Sequence, residues 1–399
     1  MSASVAFPML ALVLFAFFAA ASAPSPLFVV FQQQWDFSPA LLTVAFAIYA
    51  IALLVSLLVA GSLSDYIGRR PVIFFALLLQ GTAMLMFLLA RGIGGLLAAR
   101  IVQGVATGIA SGALSAAVVE AAPESRKRLG AMISSISPLA GLAVGALLTG
   151  MAVRVASHPV PLVFGLLSAI CVGGALATFF IPETSTRRPG ALGSLVPRMS
   201  VPPQARAEFM RGVPVMVAVW SLGGLYLSLV PSMLQQLFDI HNGLVNGLAI
   251  AILFGVGAVS PTLLRRFASP LARAIGMTSI AAGVALIGLS LVTHAAALFF
   301  IGSIVAGVGF GTAFSAQVQQ LAPLAGPQER AELFAAMYVV SYLAFSVPAM
   351  SAGLLIAPFG LLATALGYLA FLALVAGSGA ALQWAAFSRA RARAKARAD

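Results

Sequence analysis

The sequence predicts an all-α polytopic membrane protein of twelve transmembrane helices, arranged as two pseudo-symmetric six-helix bundles. Three observations carry this. The 399 residues are 61% hydrophobic and only 8% charged, with a mean hydropathy of +1.06, and so few charges cannot cover a soluble domain of this length. Apolar runs of about 20 residues, the length that crosses the hydrocarbon, recur along the whole chain, whereas the short alternating strands of a β-barrel are absent. Finally, Arg91, Arg154 and Arg100 apart, all of the 22 Lys and Arg fall on one alternate set of loops and in the C-terminal tail. That asymmetry puts this set of loops and both termini on the cytoplasmic side and requires an even number of spans.

Charge and turn signals then cut the chain in order. Span 1 covers 7–31; no Lys or Arg precedes it, which argues against reading Ala21-Ser22-Ala23 as the cleavage site of a signal peptide. Trp35-Asp36-Phe37-Ser38-Pro39 turns into span 2 (40–62), and the loop around Asp65 leads to span 3 (71–90). Arg91 separates it from span 4 (93–119). Glu124 to Arg128 precedes span 5 (130–152), and Arg154 and His158 precede span 6 (160–181). The longest polar segment, Glu183 to Arg211, contains Pro189, Pro197, Pro202 and Pro203 and reads as a loop with at most a short interfacial helix. It separates a first bundle (1–182) and linker (183–211) from a second bundle (212–387). The second bundle holds spans 212–238, 244–264, 271–293, 295–321, 331–356 and 359–386; only His294 and small residues divide the third from the fourth. A basic tail (388–399), in which Arg alternates with Ala, follows and is suited to anionic lipid at about 1 kcal/mol per charge.

The halves echo one another. Gly104-Val105-x-x-Gly108 matches Gly307-Val308-x-x-Gly311, Glu124-Ser125-Arg126 matches Glu329-Arg330, and Ala131-Met132 matches Ala336-Met337. Parallel six-helix repeats are one way transporters are built. The single cysteine, Cys171, lies in an apolar run, so no intrachain disulfide can form and neither a metal site nor a cofactor is expected. The net charge of +12 reflects topology and calls for no nucleic-acid partner. Lys127 and Lys395 are the only lysines; with the many alanines this points to a GC-rich bacterial source and hence an inner-membrane location.

The stretch Gly61-Ser62-Leu63-Ser64-Asp65-Tyr66-Ile67-Gly68-Arg69-Arg70-Pro71-Val72 has the pattern G-x-L-x-D-x-x-G-R-R. It resembles the cytoplasmic loop between helices 2 and 3 of the major facilitator superfamily of transporters, and with span count and central linker the resemblance extends over essentially the whole chain. Gly61 and Gly68 suit close approach and unusual backbone angles, and Asp65 can accept from helix N-terminal amides. The resemblance implies that Asp65 faces the start of helix 11 and helps close the cytoplasmic side, and that Arg69 joins an acid ending helix 4, here Glu120. With Arg70 these residues form a candidate conformational latch.

Arg100 is the one clear charge inside a span, where arginine costs roughly 2.5–3.5 kcal/mol or more. The stretch Arg100-Ile101-Val102-Gln103-Gly104 is similar to the helix 4 motif R-x-x-Q-G of proton-coupled members, in which the arginine is implicated in proton transfer; the alternative is an arginine snorkelling to the periplasmic surface. In span 5, Pro138 and Gly141 match the family's antiporter motif G-P-x-x-G-G, while Ser137 and Leu142 depart from it. Pro182-Glu183-Thr184 resembles another family hallmark. No Asp or Glu lies mid-span, which leaves Asp36, Asp65 or Glu120 to titrate if protons drive transport. The three histidines read as solvated loop residues.

The resemblance places substrate at the bilayer midplane between the halves, with Tyr49, Arg100, Gln103, Trp220, Tyr226, Tyr338 and Tyr342 as candidate lining residues; aromatic rings suit amphipathic cargo. No cluster of His, Asp or Cys suggests an enzyme. The expected protein is a monomeric secondary transporter that moves a small amphipathic molecule by alternating access, with a proton as coupling ion and membrane lipid as surroundings. Proton-coupled efflux is the first reading; a facilitator or importer of a sugar or organic acid is the alternative.

Overall fold

The computed structural model describes residues 3–326 and 329–395. Among them every regular element is a helix. The first span is two helices, α1 (Ala3–Ser22) and α2 (Pro24–Trp35). Pro24 and Pro26 have no N–H to give to the preceding turn, and the ladder is interrupted at Ala23. Ser38 caps α3 (Pro39–Ala60) by accepting from Leu41 N at 3.4 Å. One turn, α4 (Ser64–Ile67), leads into α5 (Arg69–Leu89), followed by α6 (Ile93–Ala121), α7 (Lys127–Val155) and α8 (Pro159–Ala177). Then come α9 (Pro203–Ser228), α10 (Val230–Leu237), α11 (Gly243–Leu263), α12 (Ser269–Thr293), α13 (Ala296–Leu321) and α14 (Arg330–Lys395).

Among the described residues eleven stretches are long and apolar enough to cross a membrane. The last of them, Arg330–Arg389, has 60 residues, and at 1.5 Å per residue it would run about 90 Å if straight. Gly360 breaks it with φ 78 and ψ 164, a conformation that glycine alone adopts readily, so its two arms are two spans and the set comes to twelve.

Two expected boundaries shift. Residues 203–211, expected in the linker, form the first turns of α9, because Pro203 occupies a helix-start position where its missing N–H costs nothing. The tail continues as helix to Lys395; residues 396–399 lie outside the described residues.

The chain divides into two compact units, Met1–Arg198 with His241–Ala251, and Met199–Ile240 with Ile252–Asp399. In the first, α6 packs on α3 and α5, α1 on α7, and α5 on α8. Gly104 and Gly108 let α6 lie directly on α3: a Cβ at Gly104 would stand 2.8 Å from Ala52 Cβ, and one at Gly108 2.8 Å from Leu57 N. Its core gathers Phe17, Leu14, Leu77 and Leu114 at one level and Phe28, Phe31, Phe87 and Phe164 at another. In the second unit α12 packs on α13 and α14, and α9 on α14, around Phe209, Met216, Leu333 and Met337. Large apolar side chains also stand outside both units, among them Phe75 (65% exposed), Val155 (70%) and Leu374 (74%). On spans of this length such side chains belong in lipid, and the chain is a multi-pass integral membrane protein.

Candidate functional site

Three clusters assemble most of the residues singled out in the sequence. The first is an ion-pair cluster at the junction of α4, α5 and α6. Gly68, at φ 100, turns the chain sharply into α5. Arg69 then faces back: Nη1 lies 2.5 Å from Asp65 Oδ1 and donates to Ser64 Oγ at 2.6 Å, while Nη2 and Nε reach Glu120 Oε1 and Oε2 at 2.9 and 3.3 Å. Arg70 donates to the Thr178 and Phe179 carbonyls at 3.1 and 2.9 Å, tying α5 to the end of α8. Gly61 remains in the helical region at φ −61, so only Gly68 takes an unusual backbone angle.

Sequence reasoning missed the residue that organises this cluster. Glu183 accepts from Arg69 N at 2.7 Å and Arg70 N at 3.1 Å, and so caps the first turn of α5. A carboxylate at the positive end of a helix needs no sequence neighbour; the only available signal was the resemblance of Pro182-Glu183-Thr184 to a family hallmark. Thr184 Oγ1 completes the cluster by donating to Glu120 Oε2 at 2.6 Å. Gly68 matters twice, because a Cβ there would also stand 2.5 Å from Glu183 Oε2.

The second cluster is built around Arg100, 1% exposed, so the guanidinium is sealed inside the unit and does not snorkel. The break in the first span prepares its seat. Pro24 leaves the carbonyl four residues back, Ala20 O, without a helical donor, and Gln103 Nε2 donates to it at 3.0 Å. Thus oriented, Gln103 Oε1 accepts from Arg100 Nη1 at 2.5 Å. Three rings surround the guanidinium carbon, Phe28 at 4.5 Å, Tyr49 at 5.3 Å and Phe87 at 5.7 Å from their centroids. Among the described residues no carboxylate pairs with Arg100, and its Nε has no partner.

The third cluster is aromatic and belongs to the second unit. Trp220 on α9 meets Tyr342 and Phe345 of α14 at 4.7 and 5.9 Å between centroids and Phe314 of α13 at 5.7 Å; Tyr338 continues the row at 6.1 Å from Tyr342. Two buried polar atoms here lack partners, Trp220 Nε1 and Ser341 Oγ. Tyr226 does not join them. It is fully buried further along α9, with its hydroxyl 2.5 Å from Ser303 Oγ.

Other expected residues stand alone. Asp36 is an exposed C-cap of α2 in the left-handed region (φ 47), which Asp tolerates better than most residues. Pro138 lies inside an unbroken α7, and Gly141 lets that helix approach α1, where a Cβ would stand 2.9 Å from Phe18 Cβ. Arg273, grouped with the loop arginines in the sequence, is a correction: it lies inside α12 with its side chain 3% exposed and forms an ion pair with Glu208 of α9. The extension of α9 back to Pro203 brings Glu208 onto a helix and into reach. Arg273 Nη1 also donates to Gln317 Oε1 at 2.6 Å. Among the described residues no three His, Cys, Asp or Glu come together as a metal site.

Twelve spans in two helical units are the architecture of a polytopic membrane transporter. Residues 10–349 match the family model of the Major Facilitator Superfamily, and the chain belongs to that superfamily. A segment of 134 residues, 34% of the chain, is 28% identical to solute carrier family 2, facilitated glucose transporter member 12, of Xenopus laevis, and spans only 23% of that relative. Similar solved structures include the human organic anion transporter TETRAN (15% identity, TM-score 0.68, covering 96% of this chain and 100% of that one). The nucleoside transporter NupG (14%, 0.70, 94% and 98%) and a POT family transporter in complex with a thioalcohol-conjugated peptide (12%, 0.74, 93% and 94%) are also similar. At these identities the likeness is one of fold.

Proposed function

We propose that this protein is a proton-coupled secondary transporter that exports a small amphipathic molecule across a bacterial inner membrane, as a monomer with both termini in the cytoplasm. The aromatic cluster of the second unit carries the cargo assignment. Trp220, Tyr342, Tyr338 and Phe314 offer flat apolar faces, and the unpaired Trp220 Nε1 offers a donor to a polar group on the same molecule. Tyr226, with its hydroxyl committed to Ser303, is proposed as a further lining residue along α9.

In the first unit Arg100, held by Gln103 and flanked by Tyr49, is assigned to proton coupling and to any negative charge on the cargo, because its Nε is unused. Asp36 is assigned as a titrating group. Gly61, Asp65, Gly68, Arg69, Arg70 and Glu120 are assigned as the latch of the cytoplasmic side, and Pro138 and Gly141 as the close-packing element of α7. The partial similarity to a facilitated glucose transporter favours a second reading, a facilitator or importer of a sugar or organic acid.

A thermal-shift screen of purified protein against amphipathic drugs, sugars and organic acids identifies the cargo class, since a ligand stabilises the state it binds. Flux of the hit in proteoliposomes with an imposed pH gradient then separates the readings. Gradient-driven flux that weakens in Trp220→Ala is expected; gradient-independent flux of a sugar would establish the facilitator instead.

A further inference from the structure

The segment joining α8 to α9 is strongly one-signed. From Thr184 to Pro202, where α9 follows, it carries Arg187, Arg188 and Arg198 and neither Asp nor Glu; the acid just before it, Glu183, is spent on the first turn of α5. It is also fastened down. Arg188 N donates to Tyr66 O at 2.9 Å, and Ser62 Oγ donates to Ser194 O at 3.3 Å. Between these bonds the Tyr66 ring lies against Gly190, whose φ of +105 suits glycine; even a Cβ there would make only an ordinary contact with the ring, at 3.5 Å. The short turn Gly193–Leu195 then packs on α3. A strap held at three points on the loop of residues 62–66 therefore has a defined outward face.

That face is apolar and basic together. Leu192 is 84% exposed and Val196 62% exposed, and the side chains of Arg187, Arg188 and Arg198 are exposed beside them. The strap leaves the membrane directly after Phe179 and Phe180, which stand 59% and 69% exposed at the end of a lipid-crossing helix. It therefore starts at the level where headgroups begin. Large apolar side chains interleaved with arginines, at that depth and without an acid, match an anionic phospholipid surface: phosphates for the guanidinium groups and the acyl boundary for Leu192 and Val196. An acidic protein would satisfy the arginines but not the position at the membrane edge.

We infer that residues 187–198 form a docking strap for anionic lipid headgroups, fastened to the loop that carries the Asp65–Arg69 ion pair. Each arginine near an anionic surface contributes about fivefold to partitioning, so the three exposed ones give about a hundredfold preference over a zwitterionic surface.

The test uses the full chain in nanodiscs. Cys171, the single cysteine and a buried one, is changed to alanine, and Leu192→Cys is labelled with an environment-sensitive fluorophore; Val196→Cys serves as a second reporting site. Discs of phosphatidylcholine alone are compared with discs containing an equal amount of phosphatidylglycerol. The expected result is blue-shifted emission with protection from an aqueous quencher in the phosphatidylglycerol discs. Both should be lost at high salt and in the Arg187→Gln/Arg188→Gln/Arg198→Gln variant. Water-like emission at both sites in phosphatidylglycerol overturns the inference, as does an equal shift in phosphatidylcholine alone. A matching shift on adding polyglutamate to phosphatidylcholine discs would assign the face to an acidic protein and overturn the lipid assignment. The readout needs no transport and stands apart from the cargo and coupling assignments.

Discussion

Arg69 and Arg100 lie in one unit and carry the same guanidinium, but their surroundings are opposite. Arg69 sits at a helix junction and spends its donors on Asp65, Ser64 and both oxygens of Glu120. Arg100 is sealed among Phe28, Tyr49 and Phe87, donates to Gln103, and among the described residues has no partner for Nε. A saturated cation fixes geometry, so its loss is felt as instability. A buried cation without a counter-ion carries an unbalanced cost, which persists in a fold when another step, such as receiving a charge, needs it. The contrast supports the proposal above, in which Arg69 holds the latch together and Arg100 serves coupling.

The largest effect expected from breaking this contrast is on flux. Arg100→Lys keeps the charge but loses the planar contact with three rings, worth ~0.5–2 kcal/mol each when desolvated, and flux in proteoliposomes falls about tenfold or more. Next comes Arg69→Ala, which strands Glu120 and Asp65; it costs about 1–3 kcal/mol, read as a lower melting temperature, and flux per folded molecule also falls because the latch is lost. Gly68→Ala forces a side chain into φ 100 and onto Glu183, costing about 1–2 kcal/mol. Glu183→Gln, which weakens the cap of α5 without strain, costs less, about 0.5–1 kcal/mol. The smallest effect is Tyr226→Phe: one hydrogen bond to Ser303 is lost, about 1 kcal/mol or less, and flux per folded molecule is unchanged. A flux defect in Tyr226→Phe would place its hydroxyl with the cargo.

The contrast also shows what a sequence can carry. The spans were legible because crossing hydrocarbon demands a length and polarity that appear locally. The loop from Gly61 to Val72 was legible because a tight turn needs Gly68 and topology needs Arg69 and Arg70 beside it. Arg100 stood out because a cation within an apolar run is costly. Contacts between distant residues left no such trace. Glu183 caps a helix 114 residues earlier in the chain, and Arg273 reaches back to Glu208; each partner alone reads as an ordinary loop charge. Proline needs its context to be read. Pro203 reads as a breaker although it starts α9, whereas Pro24 does break the first span and frees the Ala20 carbonyl that seats Gln103. Both prolines open a helix, α2 and α9; they differ in what precedes them, since Pro24 follows directly on α1 and so interrupts the first span.

The most direct test of the account measures flux and melting temperature together in Arg100→Ala, reconstituted at matched amounts of folded protein. The account predicts background flux with a melting temperature close to that of the parent, because the variant removes a buried charge that has no counter-ion. Full flux, or a loss of flux that merely follows a large fall in melting temperature, would contradict it.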